Sequence, residues 1–293
     1  MRHALSFLAV ALAAAPLAAA PPRTAASSNR ALATAAADIL RNDYRADRAE
    51  LFRLAQALES TAAAGPNEKY RRYWIAFAYW RRGFNGLNET PKPADLGEDF
   101  VRCEAHARAA LALDPAFEDA RGALMGCLMG RLWAGAVPDD RKAEWIRQGT
   151  EVMQSLMKNA GSNPRSLWLV GMQQAYRPAG GDTNVAVATW KKGLAGAREE
   201  ALAAASRDPW VPSWGAPEIL MNLANFHTYT KPDKAVARAY AEGALAMSPE
   251  WHYVRDILMP AIEKLPDPPA AAAATPPPGR PSAATPAPTG GRP

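Results

Sequence analysis

The residues best able to do chemistry are a cysteine and a histidine close together in the chain. Cys103 and His106 are three residues apart, so on a helix their sulfur and imidazole groups lie about one turn apart, like half of a metal site. A structural zinc site needs about four such ligands. The other histidines lie far from this pair in sequence: His3, His227 and His252. We therefore predict no metal site.

Motifs for catalysis are not present in the sequence. HExxH, GxSxG, CxxCH and glycine-rich phosphate loops do not occur. Two acidic pairs, Asp139-Asp140 and Glu199-Glu200, fall at a predicted turn and on a polar helix stretch, where solvated charge is the ordinary explanation. We predict no catalytic residue, no cofactor and no enzymatic activity. An enzyme with an unfamiliar helical active site is the alternative that these residues leave open.

A cluster of aromatic residues at helical spacing is followed by two arginines, and it is the candidate binding site. One interpretation is an aromatic groove for a ligand or peptide, with arginines over the ring faces. The other is a helix–helix core, which is the commoner role of aromatic residues at this spacing. The candidate residues are Tyr73, Trp74, Phe77, Trp80, Arg81 and Arg82.

Cys103 and Cys127 are the only cysteines, and each lies 12 residues from Pro115. If two antiparallel helices turn at Pro115, equal offsets place both sulfurs at the same height along the hairpin. We predict a disulfide, which an exported protein would retain. The alternative is a pair of buried reduced thiols.

Helical patterns fill the spans between proline and glycine breaks, and strand patterns are nearly absent. The fold class is therefore all-α. Gly122, Gly126 and Gly130 recur on one predicted helix, where each glycine lowers helix stability by about 1 kcal/mol relative to alanine. Close approach of a neighbouring helix would offset this cost. The predicted helices are 28–42, 46–62, 67–83, 96–113, 116–133, 139–160, 164–176, 183–205, 216–229, 232–247 and 250–264.

Both ends of the chain differ from its middle. Residues 1–20 combine a basic start, an apolar run and small residues, which is typical of a signal peptide, with a cleavage site as late as Ala26. Residues 265–293 hold 10 of the 26 prolines, which predicts a disordered spacer; a proline-rich ligand for a partner is the alternative.

The net charge of +5 is spread over the chain, so nucleic acid is not an expected partner.

Two helix endings share one pattern. Ala109 to Pro115 and Glu242 to Pro249 both run through small and apolar residues to a proline, and residues 186–194 carry small residues around Trp190. This resembles the tetratricopeptide-repeat family in a degenerate form. The proline stops at 115, 164, 209 and 249 are 49, 45 and 40 residues apart, against about 34 in the standard repeat.

The resemblance implies a right-handed superhelix of antiparallel helix hairpins over residues 67–264, with residues 21–66 as capping helices. Such arrays bind partners on their concave face, so we predict an exported, periplasmic scaffold for a protein or peptide that does not span the membrane once processed. The alternative is a periplasmic small-molecule binder, resembling the helical-repeat accessory component of TRAP-type transporters. This prediction rests on two observations: the sequence shows no recognisable group of catalytic residues, and the signal pattern implies export.

Overall fold

A computed structural model describes residues 23–61, 65–176 and 180–267. Within these ranges the protein is all-helical, with eleven α-helices and no strand, as the sequence predicts. The predicted signal peptide and residues 268–293 of the predicted tail lie outside the described residues. The helices are α1 (Arg23–Tyr44), α2 (Arg48–Glu59), α3 (Glu68–Leu87), α4 (Leu96–Leu113), α5 (Glu118–Trp133), α6 (Lys142–Asn159), α7 (Pro164–Tyr176), α8 (Thr183–Leu202), α9 (Ala216–Asn225), α10 (Lys234–Met247) and α11 (Met259–Glu263).

The proline breaks set most of these boundaries. Helices α4 and α10 end directly before Asp114-Pro115 and Ser248-Pro249. A proline constrains the residue before it and has no N–H to continue the helix hydrogen bonds. Two predicted helices are less regular than expected. Phe226–Thr230, after α9, and Tyr253–Leu258, before α11, are π-helical turns. Apolar spacing alone does not separate such turns from α-helix.

The helices pack in two layers. Consecutive helices contact each other, and α3 also contacts α1 and α5, α5 contacts α7, and α7 contacts α9. Helices α4, α6, α8 and α10 make no comparable contacts with one another within the described ranges. We call α3, α5, α7 and α9 the inner helices, because they form a row in which each helix contacts the next.

The two ends of this arrangement meet. The Tyr44 hydroxyl, at the end of α1, donates a hydrogen bond of 2.8 Å to Glu218 on α9. The Tyr44 ring lies 4.9 Å from the ring of Trp251, centre to centre. Next to it, Arg45 makes two hydrogen bonds of 2.8 Å to Glu250. We call this contact of Tyr44 and Arg45 with Glu218, Glu250 and Trp251 the seam. It bounds the face formed by the inner helices.

Helices α4 and α5 form the predicted hairpin, and Cys103 and Cys127 are paired in a disulfide across it, with Cα atoms 5.7 Å apart. The glycines of α5 have the predicted role of close approach, but their neighbours are side chains instead of a helix backbone: Leu169 at Gly122, and aromatic rings at Gly126 and Gly130. A Cβ at Gly126 would lie 2.1 Å from Trp80, and one at Gly130 would lie 2.1 Å from Phe100.

Apolar burial stabilises this arrangement throughout. Helices α1 and α2 both contact α3. Their apolar residues Leu32, Ile39, Leu51, Leu54 and Leu58 are buried, and Leu40 and Phe52 are partly buried. Each leucine or isoleucine that is fully removed from water contributes about 1.5–3 kcal/mol. Among the described residues, no helix has the length and apolar character needed to cross a membrane.

Candidate functional site

The four aromatic residues among the six predicted binding residues all lie in the core. Tyr73, Trp74, Phe77 and Trp80 are at most 1% exposed. The Trp74 indole donates a 2.7 Å hydrogen bond to the Trp210 carbonyl, and the Trp214 indole donates one of 2.7 Å to the Tyr73 hydroxyl. These residues attach the α8–α9 connection to α3, which is the role of a helix–helix core.

Arg82 acts between helices. Its guanidinium pairs with Asp95 and Asp99 at the start of α4, and it lies 4.8 Å from the centre of the Phe52 ring. Arg48 also donates to Asp95, at 2.8 Å. Arg82 therefore joins α2, α3 and α4.

Trp80 lines a cavity of about 420 Å³ between the inner helices and α6. The lining is almost entirely aromatic and methionine side chains, with one polar residue, Gln173, and no charged residue. The lining residues are Trp80, Phe84, Met125, Gly126, Met129, Trp133, Met153, Trp168, Leu169, Met172, Gln173 and Tyr176.

Arg81 lines a second cavity, of about 400 Å³, which adjoins the first. The two cavities share five residues: Phe84, Trp133, Trp168, Met172 and Tyr176. The second adds polar residues of α3 and α9 and reaches the seam: Arg81, Asn85, Asn88, Asn222 and Asn225, with Leu87, Met221, Trp251 and Tyr253. We call the two together the inner groove, with the first cavity as its apolar arm and the second as its polar arm.

Regular spacing on three inner helices builds the groove. Residues four apart lie on one helix face, and the groove takes three in a row from each helix. These are Trp80 and Phe84 on α3 with Asn88 at its C-cap; Met125, Met129 and Trp133 on α5; and Trp168, Met172 and Tyr176 on α7. Of these nine residues, only Trp80 is among the six predicted as binding residues from the sequence. The shared i, i+4, i+8 pattern, with large apolar residues on α5 and α7, is the sequence feature that marks the rest.

Charged groups beside the polar arm are paired within the protein. Arg81 donates a 2.7 Å hydrogen bond to Asp43. Glu218 is fully buried, and its two oxygens accept from the Tyr44 hydroxyl at 2.8 Å and from the Gly215 backbone N–H at 3.0 Å. Burial raises the pKa of Glu218, while the Arg81 charge opposes that rise.

Three donors along the groove have no acceptor. The indole N–H groups of Trp80 and Trp168 and the side-chain amide nitrogen of Asn222 are buried, and no protein atom accepts a hydrogen bond from them. A buried donor without a partner costs about 1–3 kcal/mol. A bound molecule that offered an acceptor would recover part of that cost.

The residues first considered for metal binding and catalysis have structural partners. Cys103 is in the disulfide, and His106 lies 3.0 Å from a Glu59 oxygen. Of the acidic pairs, Asp139 is exposed at a turn, and Glu200 accepts two hydrogen bonds from Arg165 at 2.7 Å. Among the described residues, no group of three or more His, Cys, Asp or Glu side chains is placed to hold a metal ion.

Comparison of the chain with models of protein families, with curated proteins and with solved structures finds no match. The inner groove is therefore the feature of the molecule that bears on its function.

Proposed function

We propose that this protein binds a small, mainly apolar molecule in the inner groove. The observation that carries the proposal is the apolar arm: about 420 Å³ lined by aromatic and methionine side chains. Ligand pockets for small molecules span roughly 300–1,000 Å³ and are lined in this way. Methionine side chains adapt their shape to different apolar partners.

The wider context of this proposal is an exported helical-repeat protein. The packing of α3, α5, α7 and α9 side by side, each with an outer helix next in sequence, supports a tetratricopeptide-like superhelix. A cysteine pair joined across α4 and α5 supports an oxidising compartment such as the periplasm. A small-molecule carrier like the accessory component of TRAP-type transporters fits both.

Native mass spectrometry of the protein purified from its host tests the proposal. Met172 lines both arms and is only partly buried, so Met172→Glu adds a carboxylate to the groove at a position that water can still reach. Met157 on α6 is 53% exposed and lines no part of the groove, which makes Met157→Glu the matched control.

We expect an added mass of small-molecule size on the wild-type protein and on Met157→Glu, and its loss from Met172→Glu. A wild-type spectrum without added mass, both as isolated and after incubation with an extract of host lipids and metabolites, contradicts the proposal. So does an added mass that Met172→Glu retains.

A protein or peptide partner is the second candidate. Trp133 and Tyr176, on α5 and α7, are 49% and 54% exposed although both also line the groove. Exposed aromatic residues at the edge of a concavity are typical of protein contacts. Affinity capture from the host envelope, with wild type and Trp133→Ala, separates the two candidates: a stoichiometric protein lost in the variant favours the scaffold.

A further inference from the structure

The polar arm of the inner groove limits the chemistry of its ligand, because its unpaired groups are all of one kind. Its unpartnered buried atoms are the Asn222 amide nitrogen and the indole nitrogen of Trp168. Both are hydrogen-bond donors, since an indole N–H cannot accept. A ligand that completes these groups must bring an acceptor.

The neighbouring amides of the arm already have partners. The Asn225 oxygen accepts from the Tyr253 hydroxyl at 3.1 Å, and its nitrogen donates to the Met221 sulfur at 2.9 Å. The Asn85 nitrogen donates to the Asp43 side chain at 3.3 Å. Asn88, the fourth amide of the arm, is exposed to solvent. Asn222 is therefore the buried amide that remains for a ligand, and it is only 4% exposed.

No charge beside the arm is left over for a charged ligand. Arg81 is neutralised by Asp43 at 2.7 Å, so an anion would meet no unpaired cation. Glu218 lines neither arm, and both of its oxygens already accept hydrogen bonds from the protein, so an ammonium group in the groove would meet no carboxylate. The apolar arm has no charged lining residue. Moving an unpaired charge into such surroundings is costly.

We infer that the ligand is an uncharged molecule with an apolar body in the apolar arm and a carbonyl-type acceptor held by Asn222 in the polar arm. Ketones, esters, amides and quinone-like rings share this chemistry. The inference rests on the proposed function and narrows it, because fatty-acid anions and amines of the same size are excluded.

Four naphthalene compounds of nearly equal size test the inference by equilibrium dialysis against the full chain. They are 1-acetylnaphthalene, a neutral ketone; 1-naphthoate, an anion; 1-(aminomethyl)naphthalene, a cation; and 1-ethylnaphthalene, which has no acceptor. We expect the ketone to bind about tenfold more tightly than each of the others, as one added hydrogen bond implies.

Asn222→Leu keeps the number and branching of the side-chain heavy atoms and removes the donor. We expect it to reduce the ratio between ketone and ethylnaphthalene to about threefold or less, with ethylnaphthalene itself bound as in wild type. Asn159→Leu, an exposed change at the end of α6, is the matched control and leaves the ratio unchanged. Retained ethylnaphthalene binding shows that each variant is folded.

The outcomes separate the inference from the proposed function. Naphthoate or the amine binding as tightly as the ketone overturns the inference but leaves the groove as an apolar binding site. A ketone preference that Asn222→Leu does not change also overturns it. Absence of binding by all four compounds counts against both the inference and the proposed function.

Discussion

The contact between Trp80 and Gly126 fixes the position of one wall of the groove. The Trp80 indole lies directly on Gly126, where an added Cβ would approach within 2.1 Å of the ring. The ring also lies 5.9 Å from Trp168 and 5.8 Å from Phe84, centre to centre. Any shift of Trp80 therefore moves other walls of the groove.

Gly126→Ala should destabilise the protein, because the buried Trp80 ring has little room to move. We expect a loss of about 1–3 kcal/mol in the free energy of unfolding, typical of overpacking, measured by urea denaturation. Gly149→Ala is the matched control, since its nearest neighbour would be the Met125 methyl at 3.9 Å, and helix propensity then favours alanine by about 1 kcal/mol. Equal losses in the two variants contradict this role of Gly126.

His106 should make stability depend on pH. Burial lowers its pKa, Glu59 opposes this, and the Arg72 and Arg71 charges lower it further. The Arg72 guanidinium lies 3.4 Å from Nδ1, and Glu59 lies 3.0 Å from Nε2. A neutral ring that accepts at Nδ1 and donates at Nε2 satisfies both neighbours, so the folded state resists a second proton.

Because the folded state binds this proton less readily than the unfolded chain, stability falls as pH drops through the ordinary value of 6.5. Urea unfolding between about pH 7.5 and pH 5 should show a smaller loss for His106→Gln than for wild type over this range, where the unfolded histidine titrates. The same loss in both proteins would show that His106 does not titrate differently on folding.

At the scale of elements, the α4–α5 hairpin is held by a covalent bond as well as by packing. Cys127 lies next to Gly126 on α5, so the disulfide fixes one wall of the groove to α4. Reduction with dithiothreitol should lower the free energy of unfolding by about 3 kcal/mol, as expected for a closed loop of this length.

The double variant Cys103→Ala, Cys127→Ala is the control for this measurement. Its stability should be the same with and without reductant. Wild-type stability that does not respond to complete reduction, verified by alkylation and mass measurement, contradicts the stabilising role of the bond.

The sequence predicts the helices well because their limits are local. Proline breaks and apolar periodicity place α4 and α7 at their observed boundaries, and equal offsets from Pro115 predict the cysteine pair. The groove was predicted only in part. Tyr73, Trp74 and Phe77 share the periodicity of Trp80, and only tertiary packing against the α8–α9 connection decides that they are core residues.

At the scale of the whole molecule, the seam between the first and last hairpins closes the inner face, and no local pattern predicts it. Tyr44 and Glu218 are 174 residues apart in the chain, so their contact depends on how all the intervening hairpins stack. The polar arm of the groove ends at this seam, at Trp251 and Tyr253.

The buried contact at the seam should matter more than the exposed one. Tyr44→Phe removes the donor to buried Glu218 and should cost about 1–3 kcal/mol. Arg45→Ala breaks an exposed pair with Glu250 and should cost at most about 1 kcal/mol. Urea unfolding of both variants measures the difference, and a larger loss for Arg45→Ala would contradict this assignment.

A crystal structure of the full chain soaked with 1-bromonaphthalene shows whether the inner groove binds a small apolar molecule. Bromine scatters anomalously, so its position is located independently of the protein density. We expect one dominant bromine peak in the apolar arm, within van der Waals contact of Trp168 and Met172. An empty groove, or peaks only at exposed surface sites, would contradict the claim.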